Sequence, residues 1–274
     1  MSRSNFLAMV VVGALAIAGC SSGGGDEEGV SSSSTAAAAG DGATTSTTSA
    51  TTATTAPIVP DTPGAPIAVG RGPVSVAVTP DGATGYVVNR QEGTVTPIEV
   101  ASNTPGDLIT VGNEPEGVAV TPDGATVYVA NGSDDTVTPI EVASNTPGDP
   151  ITVGNQPQGV AVTPDGATVY VTNTGDDTVT PIEVASNTPG DSIAVGEVPA
   201  GIAVAPDGAT VYVASFEEGT VTPIEVASNT AGDPISIGRG PVGLAAAPDG
   251  APASVANVIA DSVTPVGVAA HTPG

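Results

Sequence analysis

The chain has 274 residues, of which 29 are acidic and four basic, giving a formal charge of −25. It holds no Trp, two Phe and one Cys, so its core must be built from Val, Ile and Ala, and an internal disulfide is excluded. So acidic a surface repels phosphate backbones and anionic headgroups, which excludes nucleic acid as a partner, and the bulk acidity reads as solubility.

Residues 1–20 carry Arg3, an apolar run from Phe6 to Ala18, and then Gly19-Cys20. The run is too short for a membrane span and has the form of a signal peptide. The stretch Leu15-Ala16-Ile17-Ala18-Gly19-Cys20 resembles the bacterial lipoprotein signal. That resemblance implies that Cys20 is lipidated and becomes the mature N-terminus, attaching the protein to a membrane outside the cytoplasm. The alternative is an ordinary secretory signal with an incidental cysteine. Residues 21–60 are Ser, Thr, Ala and Gly with one acidic patch, Asp26-Glu27-Glu28. Such a segment has too little apolar surface to offset its ordering entropy, so a disordered tether is expected. Its root-mean-square reach is roughly 35 Å, and about 130 Å when stretched. The stretch Thr44 to Thr55 suits either O-linked sugar or a plain linker.

From residue 61 to 274 the chain repeats itself. Pro-Asp-Gly-Ala recurs at Pro80, Pro122, Pro164, Pro206 and Pro248, a spacing of 42 residues. A unit of this size cannot bury its own apolar faces and must stack on its neighbours. In the third copy four β-prone runs follow one another. They are Gly159 to Thr163, Thr168 to Asn173, Thr178 to Val184 and Ser192 to Gly196, separated by turn residues. Asp-Gly between β-branched runs signals a hairpin, and four antiparallel strands per unit is the size of a propeller blade.

The third copy carries Tyr170-Val171-Thr172-Asn173, and the other copies Tyr86-Val87-Val88-Asn89, Tyr128-Val129-Ala130-Asn131, Tyr212-Val213-Ala214-Ser215 and Ser254-Val255-Ala256-Asn257. These segments and the flanking Gly-Val-Ala-Val-Thr-Pro-Asp-Gly and Thr-Val-Thr-Pro-Ile-Glu-Val resemble the YVTN-repeat β-propellers of surface-layer type. The resemblance covers residues 61–274 and implies an all-β propeller displayed at the cell surface. It implies no particular activity, because a fold hosts many functions.

The expected architecture is five four-stranded blades of 42 residues. The segment Pro66 to Gly70 matches a fourth strand, and the chain ends before a fifth such strand would begin. The N-terminal strand is therefore expected to complete the last blade and close the ring as a monomer; the rival is a larger ring made by pairing chains. Pro97, Pro139, Pro181, Pro223 and Pro265 fall inside the third strands, where a bulge or break is expected. The fifth copy, with Pro252 and Ala245-Ala246-Ala247, should be the loosest.

Comparing the copies separates the two ends of the blades. The turn after the first strand and the Ala-Ser-Asn-Thr loop after the third share one face and hardly vary. The inter-blade connectors and the loops between second and third strands share the other face, where the copies diverge. All three arginines downstream of Cys20 lie there, with Phe216. Ring closure would place Arg71 beside Arg239, with Arg90 on the adjoining loop, as a candidate anion site; the alternative is local pairing of each arginine with an acid. Phe216, Glu114, Glu116 and Glu197 complete this candidate binding surface. The acid pairs Asp134-Asp135, Asp176-Asp177 and Glu217-Glu218 lack the spaced oxygens of a calcium loop and read as solvated turns. No metal or cofactor is expected, and His271 reads as a turn residue. The first strands, taken from Gly117, Gly159, Gly201, Gly243 and from Val74, contain no ionisable side chain, so no catalytic residue is assigned. The resulting expectation is a non-catalytic, membrane-anchored module binding an envelope protein or glycan. The alternative is a propeller hydrolase or lactonase of the envelope.

Overall fold

A computed structural model describes residues 64–247 and 253–267. Every regular element in it is a strand. The first sheet contains β1 (Pro73–Val78), β2 (Thr84–Asn89), β3 (Thr94–Glu99), β4 (Thr104–Pro105) and β5 (Ile109–Thr110). The second contains β6 (Pro115–Val120), β7 (Thr126–Asn131), β8 (Thr136–Glu141), β9 (Thr146–Pro147) and β10 (Ile151–Thr152). The third contains β11 (Pro157–Val162), β12 (Thr168–Asn173), β13 (Thr178–Glu183), β14 (Thr188–Pro189) and β15 (Ile193–Ala194). The fourth contains β16 (Pro199–Val204), β17 (Thr210–Ser215), β18 (Thr220–Glu225), β19 (Thr230–Ala231) and β20 (Ile235–Ser236). The fifth contains β21 (Pro241–Ala245), β22 (Ala253–Asn257) and β23 (Ser262–Val266).

Each of the first four sheets is an antiparallel, four-position blade whose outermost position is filled by two short pieces. In the third, β13 pairs with β14 through Ile182 and Glu183, and with β15 through Thr178 and Val179. The prolines explain the split, and not in the way the sequence suggests. The third strands run unbroken and in register, Tyr170 opposite Pro181 and Tyr86 opposite Pro97. The Pro181 carbonyl accepts from Gly190 N at 2.8 Å on the outer side, and a strand residue's N and O point the same way. The missing donor therefore faces the outermost strand, and the interruption falls there. The bulge sits elsewhere, after the proline that opens each first strand, as between Pro73 and Ser75.

The core lies between blades. Tyr128, Val137 and Ile151 of the second blade pack against Val169, Val171 and Ile182 of the third. The same positions recur between the first and second and the third and fourth blades, and between the fourth and fifth Ile237 replaces the exposed Ile235. The repeat signature supplies the ties. Tyr86, Tyr128 and Tyr170 each reach into the following blade, donating to Asn145, Asn187 and Asn229 at 2.6 to 2.8 Å. The signature Asn stays within its blade: buried Asn173 donates through Nδ2 to Thr178 and Thr180, joining the second strand to the third.

The expected closure of the ring is not made among the described residues. Ile67 to Gly70 forms no strand, and β23 has β22 as its only strand partner. β1 packs on β6 and β21 on β16, but the two end strands make no comparable contact with each other. Two features of the unmade seam stand out. Gly70 N donates to Thr96 Oγ1 at 3.3 Å and Arg71 N to Glu92 Oε2 at 2.8 Å, which holds this segment against the first blade. The residues that would face each other across the closing seam have also shrunk. Ser254 stands where other blades have Tyr, and Gly85 where blades two to four have Val127, Val169 and Val211. The linker, Cys20, the fifth Pro-Asp-Gly-Ala turn and His271 lie outside the described residues.

Candidate functional site

The invariant face is made of self-contained turns. In the third blade Thr163 Oγ1 donates to Asp165 Oδ1 at 2.6 Å, the same oxygen accepts from Ala167 N, and Thr168 N donates back to Thr163 Oγ1. Gly166 takes a positive φ of 71°, which a side chain would oppose. The threonine hydroxyl and then the backbone N–H hold the Asp165 carboxyl below the usual aspartate range, as they do at Asp81 and Asp123. At the other loop of this face Ser186 Oγ donates to Glu183 Oε2 at 2.6 Å, and Asn187 sits at φ 53° to receive the tyrosine of the preceding blade. These groups are occupied by the fold.

Much of the acidity on the variable face is likewise structural. Asp176 accepts from both the backbone and side-chain nitrogens of Asn155, at 2.7 and 2.6 Å. Asp134 holds Asn113 in the same way. These bonds lower both carboxyls. The second acid of each pair reaches forward to the next connector, Asp135 accepting from Gln156 N and Asp177 from Val198 N. The pairs are thus clamps on the inter-blade connectors, a use hidden in a sequence that shows only adjacent carboxylates. Among the described residues no three His, Cys, Asp or Glu side chains converge as a metal site.

One cluster on this face has no counterpart in the other blades. Arg90, opening the loop after β2, extends to the second blade, where its Nε contacts Glu116 Oε1 at 2.9 Å and its Nη2 contacts Glu114 Oε2 at 3.5 Å. Ser133 Oγ donates to the same Glu114 oxygen at 2.9 Å. The Glu116 side chain is only 13% exposed. Burial pushes its carboxyl up, the Arg90 charge opposes this, and Glu114 adds to it. In the following blades the Arg90 position is Gly132, Thr174 and Phe216, and the Glu116 position is Gln158 and Ala200. The seams between blades two and three and between three and four form without the pair, so the repeat does not require it.

Glu116 corrects the sequence argument about catalysis. β6 begins at Pro115, two residues before the position from which that strand was taken, so an ionisable side chain does lie on a first strand. Its repeat equivalent Gln158 has a buried Oε1 with no hydrogen-bond partner. Neither Gln158 nor Ser133 stood out in the sequence; the one signal was that Gln158 occupies the Glu116 position of the next copy. The other candidates are spread out. Arg71 and Glu197 are exposed on the first and fourth connectors, Arg239 is exposed on the fifth, and Phe216 is half-buried on the fourth blade with its N bonded to Val198 O. Among the described residues Arg90 alone of the three arginines makes ion pairs.

Residues 139–234 match the family model described as Lactonase, 7-bladed beta-propeller. Among solved structures the chain is similar to Kuenenia stuttgartiensis hydrazine synthase, with 27% identity and a TM-score of 0.65 over 70% of this chain and 57% of that one. It spans, therefore, little more than half of that relative. A functionally unknown protein from Desulfotomaculum acetoxidans is similar at 18% identity and a TM-score of 0.65, over 73% of this chain and 70% of that one. The sequence matches no curated protein.

Proposed function

We propose that this chain is an extracytoplasmic binding propeller, anchored through Cys20 on a tether of residues 21–60, that engages an envelope protein or glycan through its variable face. The observation that carries this reading is the Arg90–Glu116–Glu114 cluster. It is an ion-paired, partly buried group that the repeat does not need, placed on the face where the copies diverge. A guanidinium flanked by two carboxylates offers both donors and acceptors, the chemistry that recognises hydroxyl-rich or mixed-charge ligands. The test is saturable binding of the full chain to a glycan array and to purified envelope fractions, repeated with the Arg90→Ala/Glu116→Gln double variant, which removes both partners at once. Loss of binding with unchanged circular dichroism supports the site; equal retention by the double variant overturns it.

A second reading, hydrolysis of a lactone, is favoured by the family match over residues 139–234 and by the raised carboxyl of Glu116 on a first strand. A carboxyl that stays protonated above its ordinary range is suited to proton transfer. This reading expects turnover of simple lactones that is lost in Glu116→Gln and shows a pH limb absent from the variant. No turnover by the full chain against a lactone panel would leave the binding role.

A further inference from the structure

The first three seams of the array each join two complementary halves, and among the described residues the first and fifth blades each leave one half exposed. The leading blade of a seam gives its signature Tyr, a third-strand Val and an outer-strand Ile; the following blade gives the facing side of its first three strands. In the fifth blade no described strand covers the leading half. Val263 is 66% exposed, whereas its equivalents Val95, Val137, Val179 and Val221 are wholly buried. In the first blade the following half is open: Val76 is 52% exposed against 6% for Val118, and Val100 is exposed as well.

No described strand pairs with the outer edge of β23, and a segment of matching sequence stands before β1. Val179 of β13 pairs with Ile193, which begins Ile193-Ala194-Val195-Gly196. Ile67-Ala68-Val69-Gly70 is the same tetrapeptide, one repeat before Ile109. Its attachment to the first blade through Gly70 and Arg71 matches the attachment of Gly112 and Asn113 to the second, where Gly112 N donates to Asn131 and Asn113 N to Asp134. It leaves the first blade as the segment after β5 enters the second, toward the place of a leading blade that no described strand of this chain fills.

We propose that Ile67 to Val69 of one copy adds to the edge of β23 in a second copy, seating the first blade of one on the fifth blade of the other. Strand addition satisfies the free edge with main-chain hydrogen bonds and covers Val76, Val100 and Val263. A second copy fits better than the chain's own segment, because β1 and β21 share no packing comparable to that of β1 on β6 or β21 on β16. Donor and acceptor are different surfaces, so copies extend head to tail. The seam is weaker than an internal one, since Ser254 gives neither the ring nor the hydroxyl reach that ties Tyr170 to Asn229, and association is reversible. At a charge of −25 it strengthens with added salt.

The test uses the full chain with Cys20→Ser and two single variants, Ile67→Cys and Val263→Cys, carrying different tags. Mixed and oxidised, they should give a disulfide-linked pair of unlike chains well above the level of like pairs. Light scattering on the chain without added cysteines should show a mass that rises with concentration and salt. Ser254→Tyr, which restores the reach to Asn103 of the neighbouring copy, should tighten association several-fold. A monomeric mass at all concentrations overturns the proposal. So does a disulfide that forms only within a single chain of the Ile67→Cys/Val263→Cys double variant, which would show the ring closed by its own strand.

Discussion

Tyr170 Oη donates to Asn229 Oδ1 at 2.6 Å across 59 residues of sequence, from the third blade into the fourth. The signature tyrosine is thus a tie between blades. Tyr170→Phe keeps the buried ring and removes only the donor, so it should cost about 1 kcal/mol. A denaturation midpoint that falls with unchanged slope would show this; no change would mean that water replaces the hydroxyl at no cost.

Ser215 occupies the signature Asn position in the fourth blade and is too short for the task. Its Oγ and the Thr222 Oγ1 beneath it are buried without partners. Asn131 and Asn173 fit beside Gly112 and Gly154, and Gly196 leaves the same space beside Ser215. Ser215→Asn should therefore stabilise by about 1 kcal/mol, read as a rise of roughly 2–4 °C in Tm.

Gly159→Ala should destabilise by about 1–3 kcal/mol, because the added methyl would stand 2.6 Å from the Ala200 carbonyl oxygen of the next blade. Gly243 holds the same position in the fifth blade, where the nearest atom to such a methyl, Ala256 Cβ, is 3.9 Å away. In dilute solution Gly243→Ala should be nearly neutral. Parallel urea titrations of the two variants check the contrast.

Acid should loosen the array through its clamps. Asp81, Asp123, Asp165, Asp134 and Asp176 all have carboxyls lowered by hydrogen bonds in the folded state. The unfolded chain then takes up protons at a higher pH than the folded one. Their contribution is complete above the ordinary aspartate range, about pH 4, and is lost as pH falls through the lower folded values. Asp165→Asn should flatten the acid limb of stability against pH without steepening it near neutrality. A limb identical to that of the parent would remove Asp165 from this account.

Glu116 should have the opposite sign. Burial raises its carboxyl, so it protonates above the range of a free glutamate and there releases its hold on Arg90. A ligand that needs the ion pair should bind less well as pH falls through that raised value. Glu116→Gln should remove this dependence. Titrating binding of a confirmed ligand against pH in both proteins checks it.

The repeat makes much of the architecture legible in the sequence. A period of 42 residues with Asp-Gly turns and β-branched runs admits few solutions, and the strand order inside each blade follows from turn chemistry that acts over neighbouring residues. The function of the invariant turns is legible for the same reason, since Thr163, Asp165 and Thr168 bond one another locally. The site was only half visible. Arg90 and Glu116 could each be picked out as departures from the repeat, but their pairing, the burial of Glu116 and its place on β6 depend on how two blades abut.

What the sequence determined by itself is therefore periodic and local: blade size, strand order and which face varies. Tertiary structure decided whatever depends on contact between blades. It showed that acid pairs clamp connectors, that the third-strand prolines interrupt the outer strand and leave their own intact, and that among the described residues the first and last blades make no seam comparable to the internal ones. The physical reason is that a period fixes the content of each unit, whereas pairing between units depends on side chains that meet across a seam, such as Arg90 and Glu116, which the period does not describe.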